Sequence, residues 1–469
     1  MSSLEAPKLP EVTECNPKMP SFSNSVTMTY SPDRGRYIIA TKDIIPGEVI
    51  GNEKCYSYSL DLENMSSYCS NCLRHCPVPL PCPSCSTVVF CSEHCRAKAI
   101  QGDHRFECFT LPTLLAMGLK PVFAMVFKLL KNSSQTEWKE TLEQMKKQEC
   151  EYPPERLGFN QEGVHTPGSY ESIYHLVTNK EKRPNGDLYI KCMIAFVLTM
   201  LLKQIDIYFL DKLGQFVSPT EEELLITGEM LFANLMKISC NGFQLVEFQC
   251  SGPPVTLERK TIGSAVFATL SLINHSCNPS ASTYIMGRTQ ILRAARYISA
   301  GEEITESYCQ TFYKQGPEER QMGLLEVYQF TCHCEACQRK WPVYQELPQT
   351  MQFKCIECSR SVSTEQPICR KCDTNYNRSD YEATKQELID QWWSTAKKVK
   401  EIFEKSQHLP AKMRSCQPVT EEDLHVIRNA VELMDKYISS PCQPLWDVYD
   451  TLDLYFRLEG SPVFTSLQG

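Results

Sequence analysis

Asn274 to Pro279 read N-H-S-C-N-P and follow a small, apolar run, S-A-V-F-A-T-L-S-L-I, from Ser264 to Ile273. The run reads as a buried strand. Such a strand has no use for an amide, an imidazole, a hydroxyl and a thiol in quick succession, because each is costly to bury without a partner. The polar groups must serve a site, and the proline ends the strand that carries them.

A chain of 469 residues exceeds what one hydrophobic core supports, so several domains or lobes are expected. Its 42% hydrophobic and 22% charged residues fit an ordered globular protein. The formal net charge of −8 argues against non-specific attraction to nucleic acid or to an anionic membrane surface. No stretch reads as a run of uncharged apolar residues long enough for a membrane span, and the start, M-S-S-L-E-A-P-K-L-P, has no apolar signal segment. In a chain without a secretion signal, 25 cysteines read as metal ligands in a reducing compartment, cytosol or nucleus.

Residues 1–24, rich in Pro, Ser and Glu, read as a poorly ordered leader. From Thr27, T-M-T-Y, R-Y-I-I-A-T and V-I-G read as strands of a short hairpin with Pro46-Gly47 at its turn. Residues 110–236 carry helical periodicity in W-K-E-T-L-E-Q-M-K-K and K-C-M-I-A-F-V-L-T-M-L-L-K. Strand signals return in F-Q-L-V-E-F, T-Y-I-M-G-R-T-Q-I-L-R-A-A-R-Y-I and E-I-T-E-S-Y, broken by Gly287 and Gly301. The tail turns helical from about Tyr381, and Leu424, Ile427, Val431, Met434 and Ile438 form an apolar stripe behind a Thr420/Asp423 capping pair. Lys397–Lys400 and Glu221–Glu223 read as solvated helix faces.

Between Cys69 and Cys108 the chain offers Cys69, Cys72, Cys82, Cys85, Cys91, Cys95, His104 and Cys108, enough for two tetrahedral Zn²⁺ sites. Two-residue gaps let paired thiolates reach one ion. The alternation points to interleaved sets: Cys69, Cys72, Cys91 and Cys95 on one zinc; Cys82, Cys85, His104 and Cys108 on the other. Cys76 has no partner at ligand spacing. Further on, Cys355, Cys358, Cys369 and Cys372 form another complete thiolate set, read as a small zinc ribbon. Each set fills four positions and leaves none open for water, so these zincs are structural.

The first block, with F-C-S-E-H-C, resembles a MYND zinc finger. Beyond it, N-H-S-C-N-P resembles a signature of SET-domain lysine methyltransferases, G-E-E-I-T-E-S-Y (Gly301 to Tyr308) resembles the second signature, and Y-Q-F-T-C-H-C-E-A-C (Tyr328 to Cys337) resembles a post-SET segment. In this order, over roughly residues 25–340, the chain is identified as a member of the SET-and-MYND family. The resemblance implies that Asn274 and His275 hold S-adenosyl-L-methionine, and that Cys277 joins Cys332, Cys334 and Cys337 around a third zinc. It also implies that Tyr308 and Tyr328 are catalytic tyrosines of a lysine channel, with Tyr308 also near the cofactor, that Phe330 stacks on adenine, and that Asn241 contacts the cofactor. In D-R-G-R-Y, Gly35 and Arg36 match the family's cofactor-binding glycine-rich stretch, while Tyr37 stands where the family has a glycine. A bulky residue after Gly-Arg is similar to the branch called SET and MYND domain-containing protein 4; that branch carries an N-terminal helical repeat region, expected to be missing here.

The implied fold is α+β and multi-lobed: a β-rich SET domain split by a zinc-binding MYND finger and a helical insert, then a post-SET zinc segment and an α-helical C-terminal lobe. The expected boundaries are leader 1–24, SET N-terminal part 25–66, MYND finger 69–108, helical insert 109–236, SET core 237–312, post-SET 313–340, zinc ribbon 350–374 and helical lobe 375–469. The implied function is protein-lysine N-methylation from S-adenosylmethionine, with a histone or non-histone substrate. The alternative is a catalytically weak or silent scaffold that regulates transcription through its finger. Expected partners are the lysine-containing protein and proline-rich peptides on the finger, with no sequence-specific nucleic acid and no membrane. The protein is expected to be a monomer in cytoplasm and nucleus, its fold dependent on zinc: two ions in the finger, one in the SET/post-SET region and one in the ribbon.

Overall fold

The computed structural model describes residues 9–129, 135–205, 209, 216–251, 256–376 and 386–459. The first eight leader residues, Tyr381 at the expected start of the tail helices, and the last ten residues lie outside them.

Helices surround several small sheets rather than one large one. Val26–Ser31 pairs antiparallel with Gly35–Ala40. Val49–Lys54 joins Thr289–Ala294, which folds back on Ala281–Met286 through a turn where Gly287 takes φ +61°. Ser57–Leu60, Thr256–Val266 and Gly242–Ser251 form a third sheet. The pairing that matters for function is the smallest: Thr305–Glu306 lies parallel to Asn274–His275, with Glu306 opposite His275. It places N-H-S-C-N-P against E-S-Y.

The helix Glu221–Asn241 opens with a full capping box between Thr220 and Glu223 and delivers Asn241 at its end. In the tail, Glu421–Tyr437 has the anticipated box between Thr420 and Asp423, and Leu424, Ile427, Val431, Met434 and Ile438 are all buried. The last described helix, Gln443–Glu459, packs on strand Ala281–Met286 and roofs the site. One apolar core joins the N-terminal sheets, the Cys/His block and the inserted helices; a second joins the segment after Tyr308 to the tail.

Four local expectations are corrected. The hairpin turns at Pro32-Asp33-Arg34, with Gly35 at φ +70°, and Pro46-Gly47 instead leads the chain into a different sheet. Leader residues 9–24 are ordered: Met19 and Phe22 are buried, Phe22 bridges Gly51, and a Cβ at Gly51 would stand 2.6 Å from the Phe22 ring. Polar composition hid these two anchors. The apolar run before Asn274 is not one strand; it leaves the sheet at Val266 and makes a 3₁₀ turn at Leu270–Leu272. The break has a distant cause. The carboxylate of Glu53, on a neighbouring strand, accepts the N–H groups of Thr269 (3.0 Å) and Leu270 (2.8 Å), which no sheet partner then has to satisfy. Lastly, Asn185–Lys203 is by length and composition apolar enough to cross a membrane, contrary to expectation. It packs along Glu221–Asn241, burying Ile194, Ala195, Leu198 and Leu202, with Tyr189, Ile190, Met193 and Phe196 exposed.

Candidate functional site

The parallel pairing fixes the centre of the site. The backbone N–H of Tyr308 donates to Nδ1 of His275 (2.9 Å), and the Tyr308 hydroxyl donates to the carbonyl of Ile273 (2.6 Å). Tyr328 closes the group: its hydroxyl donates to the Tyr308 carbonyl (3.1 Å), and the two rings lie 5.0 Å apart. Phe330 meets Tyr308 edge-on at 6.4 Å and His275 at 6.0 Å. Burial drives the Tyr308 phenol well above its ordinary pKa and the Tyr328 phenol up to about 12, so both stay neutral hydrogen-bonding groups. Burial also pushes His275 down to about 4, leaving a neutral ring.

Tyr308, Tyr328 and Asn241 line a cavity of about 940 Å³ under the last helix. The amide N–H groups of Asn241 donate to the carbonyls of Val177 and Lys237, both at 2.9 Å, so the helix end is stitched to the preceding loop. Asn274 donates to the carbonyl of Arg34 (3.3 Å) and to Glu303 (3.0 Å), which ties the second motif to the turn carrying Gly35. Tyr37 lies in regular strand opposite Thr29, so this position asks for no glycine-only backbone. The Arg36 guanidinium is directed away, onto the carbonyls of Leu157 and His175. Both ring nitrogens of His275 are likewise engaged inside the protein, the second 3.3 Å from Cys277 Sγ.

All four Cys/His sets read from spacing or resemblance come together in space, each with its ligand atoms within 4.8 Å of one another: Cys69/Cys72/Cys91/Cys95, Cys82/Cys85/His104/Cys108, Cys277/Cys332/Cys334/Cys337 and Cys355/Cys358/Cys369/Cys372. Cys76 belongs to none of them. Sulfur separations such as Cys91–Cys95 (3.5 Å), Cys82–Cys108 (3.8 Å), Cys277–Cys337 (3.5 Å) and Cys355–Cys372 (3.5 Å) are far longer than a disulfide bond. They are close to about 3.8 Å, the edge of a tetrahedron with Zn–S bonds near 2.3 Å. The donor sets therefore fit Zn²⁺. In the second set, Nε2 of His104 faces Cys82 (3.3 Å) and Cys85 (3.6 Å). Its Nδ1 lies 3.6 Å from Glu107, whose carboxylate is paired at 2.8 Å with the buried ammonium of Lys128. Lys128 donates in turn to the carbonyl of Tyr58 on strand Ser57–Leu60.

Sequence reasoning missed Glu303, which holds Asn274; Asn179, which donates to the Tyr328 carbonyl (2.8 Å); and Glu306, buried beside the tyrosines. Glu303 and Glu306 had a local signal, as carboxylates inside the quoted G-E-E-I-T-E-S-Y; Asn179 had none.

Comparison with known proteins agrees with this arrangement. The SET domain family model matches residues 35–309, more than half of the chain. The human protein named Protein-lysine N-methyltransferase SMYD4 is 26% identical over 403 residues, covering 74% of this chain and 50% of that protein. Mouse Histone-lysine N-methyltransferase SMYD3 is 25% identical over 310 residues (65% and 60%), and N-lysine methyltransferase SMYD2-A of Xenopus laevis 24% over 379 (80% and 74%). The chain spans about half the length of the SMYD4 relatives it matches. With its motifs paired on adjacent strands and its sequence matching from Gly35 to Cys309, the chain belongs to the SET-domain family and is similar to SMYD4.

Proposed function

We propose that this chain transfers a methyl group from S-adenosylmethionine to the side-chain amine of a lysine in a protein, histone or non-histone. The observation that carries the reading is the convergence of Tyr308 and Tyr328 at one cavity, with Phe330 edge-on to Tyr308 behind them and the Tyr308 hydroxyl anchored on the Ile273 carbonyl. The residues present suit this cofactor, since aromatic faces accommodate both a flat base and a cation. Phe330 would stack on the base; Gly35, Arg36, Asn241, Asn274 and His275 would hold the remainder, with Arg36 and His275 acting through backbone and fold because their side chains are engaged elsewhere. When bound, the cofactor supplies an electrophilic methyl group on a sulfonium.

The chain's own contribution is to bind, orient and dehydrate the amine. A free lysine has a pKa near ~10.4 and reaches the site charged. Enclosure between Tyr308 and Tyr328 disfavours the charged form and holds the nitrogen in near-attack geometry. Since the Tyr308 hydroxyl spends its proton on Ile273, its oxygen is left to accept an N–H from the amine.

Four structural zincs complete the reading: two in a MYND finger at residues 69–108, one joining Cys277 to the post-SET cysteines, and one in the ribbon. That the finger lies between two parts of the matched SET region supports an insertion, and its surface is the natural recruiter of proline-rich peptides. We place the protein, as a monomer, in cytoplasm and nucleus.

Calorimetric titration of S-adenosylmethionine into zinc-loaded protein, beside an Asn274→Ala variant, tests the reading. Saturable binding that the variant loses is expected. A wild-type chain that binds none would leave a scaffold acting through its finger.

A further inference from the structure

The mechanism above leaves one buried carboxyl without employment. Glu306 stands two residues before Tyr308, is only 6% exposed, and lines the same cavity as Tyr308 and Tyr328. Its one side-chain hydrogen bond among the described residues is long, 3.4 Å from Thr283 Oγ1, and it forms no ion pair among them. Of the cations lining the cavity, Arg296 pairs with Glu302, Arg457 with Asp453 and Lys314 with Asp450, Arg259 donates to Gln244, and Arg320 donates to the carbonyls of Phe312 and Gln315; Arg414 lines it too, and none of the six forms an ion pair with Glu306 among the described residues. The titratable groups that feel its charge are the Tyr308 and Tyr328 phenols, both neutral. Burial raises the Glu306 pKa to about 8.

A lone buried carboxyl is costly and is best explained where a cation arrives to meet it. In the reading above, the arriving group is an ammonium that must lose a proton. We propose that Glu306 is a catalytic residue of this site: its carboxylate receives the ammonium of the substrate lysine, orients it beside Tyr308 and Tyr328, and takes one of its protons. One N–H bond breaks and leaves its electron pair on nitrogen, while the proton forms an O–H bond on Glu306. Lysine leaves the step as a neutral amine and the carboxylate as a neutral acid, which returns its proton to solvent through the open cavity. Nothing else is consumed.

The proposal rests on the methyltransferase reading, and the test separates the two. Zinc-loaded wild type, Glu306→Gln and Glu306→Asp are compared for S-adenosylmethionine affinity by calorimetry, and for single-turnover methylation of core histones and a polylysine copolymer between pH 7 and 10. The Gln variant should bind cofactor like wild type yet methylate about 100-fold more slowly near pH 7.5. Its deficit should shrink toward pH 10, where lysine sheds its proton unaided, and Asp should restore part of the rate. A Gln variant matching an active wild type across the pH range overturns the proposal alone. A wild type that binds cofactor but methylates neither probe overturns the methyltransferase reading and this proposal with it.

Discussion

The backbone N–H of Tyr308 donates to Nδ1 of His275, and this single bond assigns the imidazole its tautomer. A nitrogen that accepts carries no proton, so the neutral ring carries its proton on Nε2, 3.3 Å from Cys277 Sγ. One histidine thus links Tyr308 to a thiol of the Cys277 set. An N–H donated to a ligating sulfur steadies the ligand as well as the ring.

His275→Phe keeps a ring of similar size but loses both bonds. We expect about a 10- to 100-fold fall in methylation and weaker zinc retention at the Cys277 set, with the other three sets unaffected. Zinc release under graded chelation, read beside activity, checks this. Loss of activity with zinc retention unchanged would separate the tyrosine's placement from the metal.

Tyr308→Phe removes the hydroxyl held by Ile273 and retains the ring that packs on Tyr328 and Phe330. Methylation should fall by about 100-fold or more, while stability drops only by about 1 kcal/mol and zinc content stays at wild-type level. Methyl transfer at the wild-type rate would remove Tyr308 from the channel.

What the sequence disclosed, and what it hid, follows the range of the interactions. The interleaved sets between Cys69 and Cys108 were legible because ligand spacing is a local constraint. Cys277 lies 55 residues from Cys332, a separation no spacing rule reaches, and only the resemblance paired them. The turn at Pro32–Arg34 lost to Pro46-Gly47 because both have good turn chemistry and only tertiary pairing chooses between them. The break after Val266 depends on Glu53, more than two hundred residues away, whose carboxylate no local pattern shows. Glu306 was in plain view as a letter; its burial was not.

The His104–Glu107–Lys128–Tyr58 chain couples the Cys82/Cys85/His104/Cys108 set to the strand Ser57–Leu60. Lys128→Met strands a buried carboxylate and should cost about 3–5 kcal/mol. Adding Glu107→Gln should recover much of it, because the charge that needed a partner is gone. Urea unfolding of the two single variants and the double variant measures the coupling. Additive losses would mean that Glu107 and Lys128 act independently.

Folding also raises two buried carboxyls, Glu53 to about 7 and Glu306 to about 8, in both cases chiefly through burial. A carboxyl raised in this way keeps its proton in the folded chain after the unfolded chain has released it. Its contribution to stability is therefore full below the ordinary carboxylate range and is lost as pH rises, through about 7 for Glu53 and about 8 for Glu306. Wild-type stability should decline from about pH 5 to about pH 8 and level off above it. Glu306→Gln, neutral throughout, should remove part of that decline and be more stable than wild type by about 2–4 kcal/mol at pH 8.5, with a smaller gain at pH 6. Glu53→Gln should behave differently, since its amide NH₂ would stand where the second carboxylate oxygen now accepts the Thr269 N–H, setting donor against donor, and it should destabilise at every pH. Urea denaturation across the pH series distinguishes the two. If Glu306→Gln shows no pH-dependent gain, burial does not raise the proton affinity of the Glu306 carboxylate, and the proton-accepting role argued for it loses its electrostatic basis.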